Sequence, residues 1–338
     1  MVLAILSILI IWQYRLVCYG IAQAKGQLTI LYKAQAIDKI LADSSIPDSI
    51  KQKINLIQEI KKYAIDSLGI KPSDSYVSFY DQQNKPILWV VTACEKYSLK
   101  PYQWHFPFLG DVSYKGFFDE EAAEKEKKLF TERGYDTDIG EANAWSTLGW
   151  FKDPILSSML KKHEGDLANL IIHELTHGTI YIKDSVEYNE NLASFIGNKG
   201  ALAFLKYKYG INSSQYHQYI EGDEDRQKFI THILNGCNSL DSLYKGFNAD
   251  LNDSIKSKQK MKLITAIIYS LRTIPFHHPE KYQKLIEQEF YPNNAWFYGF
   301  IQYRQNQSVF ENEFLVFHSN VKLYLEYLKK KAANNFSE

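Results

Sequence analysis

Five consecutive residues near the middle of the chain, His173-Glu174-Leu175-Thr176-His177, constrain the fold more than any other feature. They lie in an apolar stretch whose periodicity is typical of a buried helix. Because residues four apart share one helix face, the imidazoles of His173 and His177 can bind the same metal ion. Glu174 is turned about 100° from His173, so its carboxylate can reach a water instead of the metal. The pattern predicts a zinc-binding helix.

The alternative is an ordinary buried helix with two hydrogen-bonded histidines. A buried glutamate and two buried histidines need polar partners, however, and a metal ion would provide them. The metzincin pattern requires Gly at position 180 and His at position 183, whereas Ile180 and Lys183 stand there. We therefore expect a zinc site of another class, whose third ligand comes from a second helix.

That second helix is predicted after a turn at residues 183–185. If the first helix ends near Ile182, it rises about 7–8 Å beyond His177. A helix running back from the turn then returns Glu190 to nearly the level of His177. Glu187 is the alternative ligand, but with Asp184 it would form a capping box at the helix start. The predicted ligands of a single Zn²⁺ are therefore His173, His177 and Glu190.

The amino-terminal segment combines an apolar run, Val2 to Trp12, with a second, mostly apolar stretch from Leu16 to Ala22. Together they approach the roughly 20 residues that span a bilayer, with Arg15 near one interface. We predict that residues 1–24 are an uncleaved membrane anchor. A signal peptide cleaved after Ala22-Gln23-Ala24 and a buried helix are the alternatives. The corresponding prediction for location is a membrane-anchored protein with its catalytic domain on the extracytoplasmic (periplasmic) side.

Composition excludes several classes of protein. Hydrophobic residues make up 45% of the 338 residues, which is enough for a packed core and excludes general disorder. Lys and Arg number 39, as do Asp and Glu. This balance argues against a nucleic-acid partner, because phosphate binding needs an excess of basic residues. Three cysteines cannot form a disulfide framework.

The pattern along the chain predicts an α+β fold that is predominantly α-helical. Residues 26–65 have helical spacing, and residues 76–151 form a small strand-rich part, with β-branched and aromatic residues broken by Pro and Gly. The zinc helices are expected at about 155–200, and the remainder is helical to residue 338. We predict one catalytic domain over residues 25–338.

Several short segments, spread over nearly the whole chain, resemble a bacterial family of "putative aminopeptidases". They are Gly26-Gln27-Leu28, Trp104-His105-Phe106-Pro107, Tyr114 to Asp119, Ser146 to Pro154, the zinc helix with Tyr188-Asn189-Glu190, and Asn293-Asn294-Ala295 with Tyr303. The resemblance implies a gluzincin-type zinc metallopeptidase with a pair of zinc helices. It also makes Tyr303 the predicted hydrogen-bond donor to the developing oxyanion.

Taken together, these features predict peptide-bond hydrolysis by a zinc-activated water, with Glu174 as general base and a peptide or protein as substrate. An aminopeptidase needs a carboxylate for the free amine of the peptide, and Glu187 and Asp119 are candidates. Asn143 to Phe151 is either an edge strand that pairs with the substrate or a core strand. The alternatives are an endopeptidase, another zinc amidohydrolase, or a silent zinc-stabilised binding protein. The intact Glu174 argues against the silent protein.

Overall fold

The structure, a computed structural model, describes residues 14–106, 110–142, 152–183, 185–287, 292–302 and 307–335. Four of the predictions fall outside these residues. They concern the apolar run Val2 to Trp12, the segment Asn143 to Phe151, the capping residue Asp184 and the oxyanion donor Tyr303.

Helices dominate the described chain. In chain order they are α1 Tyr14–Lys33, α2 Ile37–Ala42, α3 Asp48–Leu68, α4 Glu120–Glu132, α5 Glu164–His177, α6 Val186–Tyr209, α7 Ser214–Lys245, α8 Asp253–Ser270, α9 Gln283–Ile286, α10 Asn294–Gln302, α11 Gln307–Val316 and α12 Val321–Asn335. The predicted α+β fold, mostly α, is confirmed.

The strands form three small sheets. They are β1 Gln35–Ala36, β2 Ser78–Tyr80, β3 Leu88–Cys94, β4 Trp104–Phe106, β5 Gly110–Val112, β6 Tyr114–Phe117, β7 Asp136–Ala142 and β8 Ile155–Leu156. The sheet order is β1-β2-β8, β6-β3-β7 and β4-β5, and of these pairs in the described residues only β2–β8 is parallel. In the antiparallel sheet β6-β3-β7, the central strand β3 places Thr92 directly between Tyr114 and Asp138.

The main hydrophobic core lies between α3, α5, α6 and the carboxyl-terminal helices α11 and α12. In α3, the fully buried residues Ile54, Ile57, Ile60 and Ala64 recur at intervals of three and four, so they form one apolar stripe. The stripe faces α5, whose residues Leu167, Ala168, Ile171 and Ile172 are also fully buried. The predicted metal-binding helix is therefore an element of the core.

The prediction of a membrane-anchored, extracytoplasmic protein is wrong. Within the described ranges, no helix combines the length and the apolar character needed to cross a membrane. In α1, the side chains of Lys25 and Lys33 interrupt the apolar sequence. The same helix packs on the protein, because Tyr19 Oη and Gln23 Nε2 donate hydrogen bonds to the Gly116 carbonyl oxygen at 2.9 and 2.8 Å.

Candidate metal centre

Helix α5 ends at His177, about one turn earlier than its sequence predicts. The side chain of Asn189 on α6 clamps the turn that follows. Asn189 Oδ1 accepts a hydrogen bond from the Ile182 backbone N–H at 2.9 Å, and Asn189 Nδ2 donates one to the Ile182 carbonyl at 2.7 Å. Asn189 is buried, so these bonds satisfy an otherwise orphaned amide. The clamp sets where α6 begins its return along α5.

The two helices approach each other closely because small residues line their contact. A β-carbon at Gly200 would lie 2.9 Å from Ile172 Cγ2, and one at Gly197 would lie 3.1 Å from His173 Cβ. Ala193, one turn before Gly197, is fully buried. Asn169, which also borders Gly197, donates through its Nδ2 to Tyr219 Oη on α7 at 2.7 Å. Both α6 and α7 therefore hold α5 in position.

This packing brings His173, His177 and Glu190 together. The Nε2 atoms of the two histidines are 3.2 Å apart. Glu190 Oε2 lies 3.5 Å from His173 Nε2, and Glu190 Oε1 lies 3.4 Å from His177 Nε2. One potential ligand atom from each residue lies within 4.8 Å of the others, so the group could hold a metal ion.

The dimensions and donor types of this group fit zinc. Tetrahedral zinc with bonds of about 2.0–2.1 Å places neighbouring ligand atoms about 3.3 Å apart. The observed separations of 3.2, 3.4 and 3.5 Å are close to that value. Two imidazoles and one carboxylate are a donor set of catalytic zinc sites, in which a fourth position stays open. The His177 side chain is only 3% exposed but that of Glu190 is 34% exposed, so the centre is accessible from one side.

The electrostatics of the centre keep its carboxylate ionised and one imidazole neutral. Burial, helped by the neighbouring His173, lowers the pKa of His177 to about 4 against the opposing effect of Glu190. Burial also opposes the charge of His173, but Glu190 and Glu174 outweigh it and raise the pKa of His173. Burial would raise the pKa of Glu190, and the two histidines reverse this and lower it. A neutral imidazole and an ionised carboxylate are the forms that bind metal.

The outer nitrogens of the two imidazoles differ in their surroundings. Ser194 Oγ lies 3.5 Å from His173 Nδ1. His177 Nδ1 is buried and has no hydrogen-bond partner in the part of the chain that the structure describes. Asn169, one turn before His173, bonds to Tyr219.

Glu174 is half-buried beside His173, next to the ligand group rather than in it. Its carboxylate and that of Asp153 add to the effect of burial and raise the pKa of Tyr76. The Tyr76 backbone has a φ of 66°, a conformation that is rare for a residue with a side chain. Two hydrogen bonds hold it, from the Tyr76 N–H to the Asp153 carbonyl at 2.6 Å and from Gln58 Nε2 to the Tyr76 carbonyl at 2.7 Å.

Two further candidates have other positions than their sequence suggests. Glu187 is exposed in the first turn of α6 and is not part of the ligand group. Asp119 caps α4, where its Oδ1 accepts a hydrogen bond from the Ala122 N–H at 2.8 Å.

The residue that sequence reasoning missed is Tyr114 on β6. Burial, the Glu190 carboxylate and Tyr181 raise the pKa of Tyr114, so its phenol is within electrostatic range of a predicted ligand.

The sequence profile of the family described as "Putative aminopeptidase" matches residues 18–337. The chain belongs to this family. The family resemblance predicted from short motifs is thereby confirmed, and membership indicates an enzyme that hydrolyses peptides. Comparison with curated proteins and with solved structures found no match.

Family segments outside α5 and α6 hold elements of this aminopeptidase-family fold together. A β-carbon at Gly26 on α1 would overlap the ring of Phe118, so two of these segments pack directly on each other. Asn294 Nδ2 donates to the Glu95 carbonyl at 2.8 Å, and Asn294 Oδ1 accepts from Tyr244 Oη at 2.7 Å. Asn294 is fully buried, so these bonds fasten α10 to the end of β3.

Proposed function

We propose that this protein is a zinc-dependent aminopeptidase of gluzincin type, acting on peptides or proteins. The observation that carries the proposal is the convergence of His173 Nε2, His177 Nε2 and the Glu190 carboxylate at separations of 3.2–3.5 Å. Family membership supports peptide hydrolysis independently of this geometry. The antiparallel return of α6 along α5 supports the gluzincin assignment, since that class takes its third ligand from a second helix.

In this proposal His173, His177 and Glu190 hold the zinc ion. Bound there, zinc would lower the pKa of a coordinated water and polarise the carbonyl of the scissile bond. Glu174 is the general base, and its carboxylate accepts a proton from the attacking water. The same carboxyl group then gives that proton to the nitrogen of the departing amine. Its position beside His173, outside the ligand group, supports this role.

The remaining catalytic role is hydrogen bonding to the oxygen that becomes negative during attack. We assign it to Tyr303 because the family segments include this residue. Residue 303 lies outside the described part of the chain. Tyr114, a phenol whose pKa the Glu190 carboxylate helps to raise, is the competing candidate.

The experiment that tests the proposal measures metal content and peptide hydrolysis on the purified full chain. The variants are Glu174→Gln and Glu190→Gln, with Glu187→Gln as a matched control on the same helix. We expect one zinc per chain in the wild type, in Glu174→Gln and in Glu187→Gln, and substoichiometric zinc in Glu190→Gln. Hydrolysis should fall by about 10²- to 10⁴-fold in Glu174→Gln, since general acid–base catalysis contributes that much.

The other outcomes discriminate between the alternatives. Zinc binding without turnover of any peptide would favour a zinc-stabilised binding protein. Turnover of N-blocked peptides at least as fast as free ones would favour an endopeptidase. Loss of zinc in Glu187→Gln but not in Glu190→Gln would identify Glu187 as the third ligand. A wild type that binds no zinc would refute the proposal.

A further inference from the structure

Helix α1 contacts the rest of the protein along one side only. The residues on that side recur at intervals of three and four and are Tyr19, Gln23, Gly26 and Ile30. Tyr19 and Gln23 bind the Gly116 carbonyl, and a β-carbon at Gly26 would overlap the ring of Phe118. Ile30 is only 3% exposed. These contacts fix α1 on the fold and leave its opposite side in solvent.

The solvent-facing side of α1 carries apolar residues in a seven-residue repeat. The first and fourth positions of the repeat are occupied by Tyr14, Val17, Ile21, Ala24, Leu28 and Leu31, which we call the α1 stripe. Tyr14 is 54% exposed, Ile21 64% and Leu28 59%. A repeat with apolar first and fourth positions is the pattern by which two helices pack along each other. The stripe therefore has the spacing of a helix–helix contact, but no helix of the described chain covers it.

The exposed area is sufficient for an interface between two chains. Tyr32, beside the stripe, is 91% exposed. Together with Tyr14, Ile21 and Leu28 it exposes on the order of 500–600 Å². Two copies of the helix would bury about 1,000–1,200 Å², and a specific interface needs about 1,000 Å². Because α1 is already held on the protein, association does not have to order the helix.

The charges on α1 favour a second copy of this helix over a lipid surface. Lys25 lies on the same side as Ile21 and Leu28, so a bilayer that took up these apolar side chains would have to desolvate its ammonium group. In a helix pair Lys25 occupies the fifth position of the repeat, at the edge of the contact, where the ammonium group stays in water. The seventh positions, which face the fifth positions of a parallel partner, hold the uncharged residues Gly20 and Gln27. Like charges therefore do not meet across a parallel pair.

We propose that the α1 stripe packs against the α1 stripe of a second copy, so that the protein forms a two-fold symmetric dimer. The two helices run parallel, and Ile21 and Leu28 each contact their counterparts. The rest of each chain lies on the outer side of the helix pair, where α1 is fixed to it. The inference is independent of the proposed function, since the candidate ligands lie on α5 and α6.

The first test is the mass of the full chain in solution, measured by sedimentation equilibrium over a range of concentrations. We expect the wild type to approach twice the mass of one chain. Ile21→Glu should raise the dissociation constant of the dimer by about 100-fold or more, because two carboxylates would be buried in an apolar contact. Ala22→Glu is the matched control on the same helix. Ala22 is exposed but lies outside the α1 stripe, so this variant should dimerise as the wild type does.

A variant that strengthens the contact provides the second test, because misfolding cannot produce a gain in affinity. Ala24→Leu adds three carbon atoms to the contact from each chain and should lower the dissociation constant by about 10-fold or more. Circular dichroism should give the same helix content for all the variants and the wild type.

Three results would overturn the inference. The first is a wild type that stays monomeric at its highest soluble concentration. The second is a dimer whose dissociation constant Ile21→Glu and Ala24→Leu leave unchanged, which would place the dimer contact elsewhere. The third is a monomer that binds vesicles of phosphatidylcholine and phosphatidylglycerol and loses this binding in Ile21→Glu, which would identify a lipid surface as the partner of the stripe.

Discussion

Gly197 on α6 lies so close to His173 on α5 that a β-carbon at residue 197 would be 3.1 Å from His173 Cβ. The same β-carbon would be 2.9 Å from the backbone oxygen of Asn169, which cannot move without its helix. The separation of the two helices, and with it the distance from His173 to Glu190, therefore depends on the missing side chain at this position.

Replacing Gly197 by alanine should force the helices apart. We expect Gly197→Ala to lower the free energy of unfolding by about 1–3 kcal/mol, the usual cost of overpacking, and to weaken zinc binding. Urea denaturation and zinc titration measure the two effects. Gly20→Ala is the control, because Gly20 is also helical but a β-carbon there meets nothing within 4 Å. Its stability should be unchanged or higher by up to about 1 kcal/mol. Wild-type values for Gly197→Ala would contradict the prediction.

Removing the metal should destabilise the folded protein. A ligand that binds only the native state adds about 2.7 kcal/mol at 100 times its Kd and about 4.1 kcal/mol at 1,000 times. We expect a chelator to lower Tm and zinc to restore it, as measured by differential scanning calorimetry. The Tm of Glu190→Gln should change little on addition of chelator or zinc, because this variant lacks one of the metal ligands. A wild-type Tm that ignores both chelator and zinc would show that these residues hold no metal in the folded protein.

The oxyanion donor can be identified by removing single hydroxyl groups. We expect Tyr303→Phe to lower kcat by about 10²- to 10³-fold, the usual effect of losing such a donor, without changing zinc content. Tyr114→Phe tests the competing phenol, whose pKa the Glu190 carboxylate helps to raise, and Tyr32→Phe, 91% exposed, is the control. A large loss of kcat in Tyr114→Phe, together with a wild-type kcat in Tyr303→Phe, would identify Tyr114 as the oxyanion donor.

A stability prediction away from the site concerns Asp225, which is fully buried on α7. Its two carboxylate oxygens accept hydrogen bonds from the backbone N–H groups of His277 and His278, each at 2.7 Å. Asp225→Ala should leave both donors unsatisfied and cost about 2–5 kcal/mol, as measured by urea denaturation. Asp223→Asn, which removes a partly exposed ion pair with Arg226, should cost less than about 1 kcal/mol. Equal costs for the two variants would contradict this account.

Much of the fold follows from local patterns in the sequence. The helical spacing of Ile54, Ile57 and Ile60 places them in one buried stripe, and residues 120–132, rich in Glu, Lys and Ala, form helix α4. Strand β7, with the sequence Asp-Thr-Asp-Ile-Gly-Glu-Ala, has no such signal. It forms because all seven of its residues pair with β3. The intrinsic strand propensity of these residues does not include this pairing energy.

The amino-terminal helix shows how an apolar composition can mislead. Its mostly apolar stretch from Leu16 to Ala22 favours a membrane prediction when it is counted with the preceding apolar run. In the fold, Tyr19 and Gln23 bind the Gly116 carbonyl, and Gly26 packs on Phe118. These contacts join residues about 90 positions apart in the chain, so no local window can reveal them.

At the candidate metal centre, too, local sequence patterns determined some features and contacts between distant residues determined the others. The sequence alone determined that His173 and His177 share a helix face, since the helical period is a local property. It also determined the family, because the matching segments are spread along the chain. Only the tertiary structure decided that α5 ends at His177, that Asn189 clamps the turn and that Asp138 faces the same side as Tyr114. Those relationships arise from packing and strand pairing between distant residues, and their energies exist only once the chain has folded.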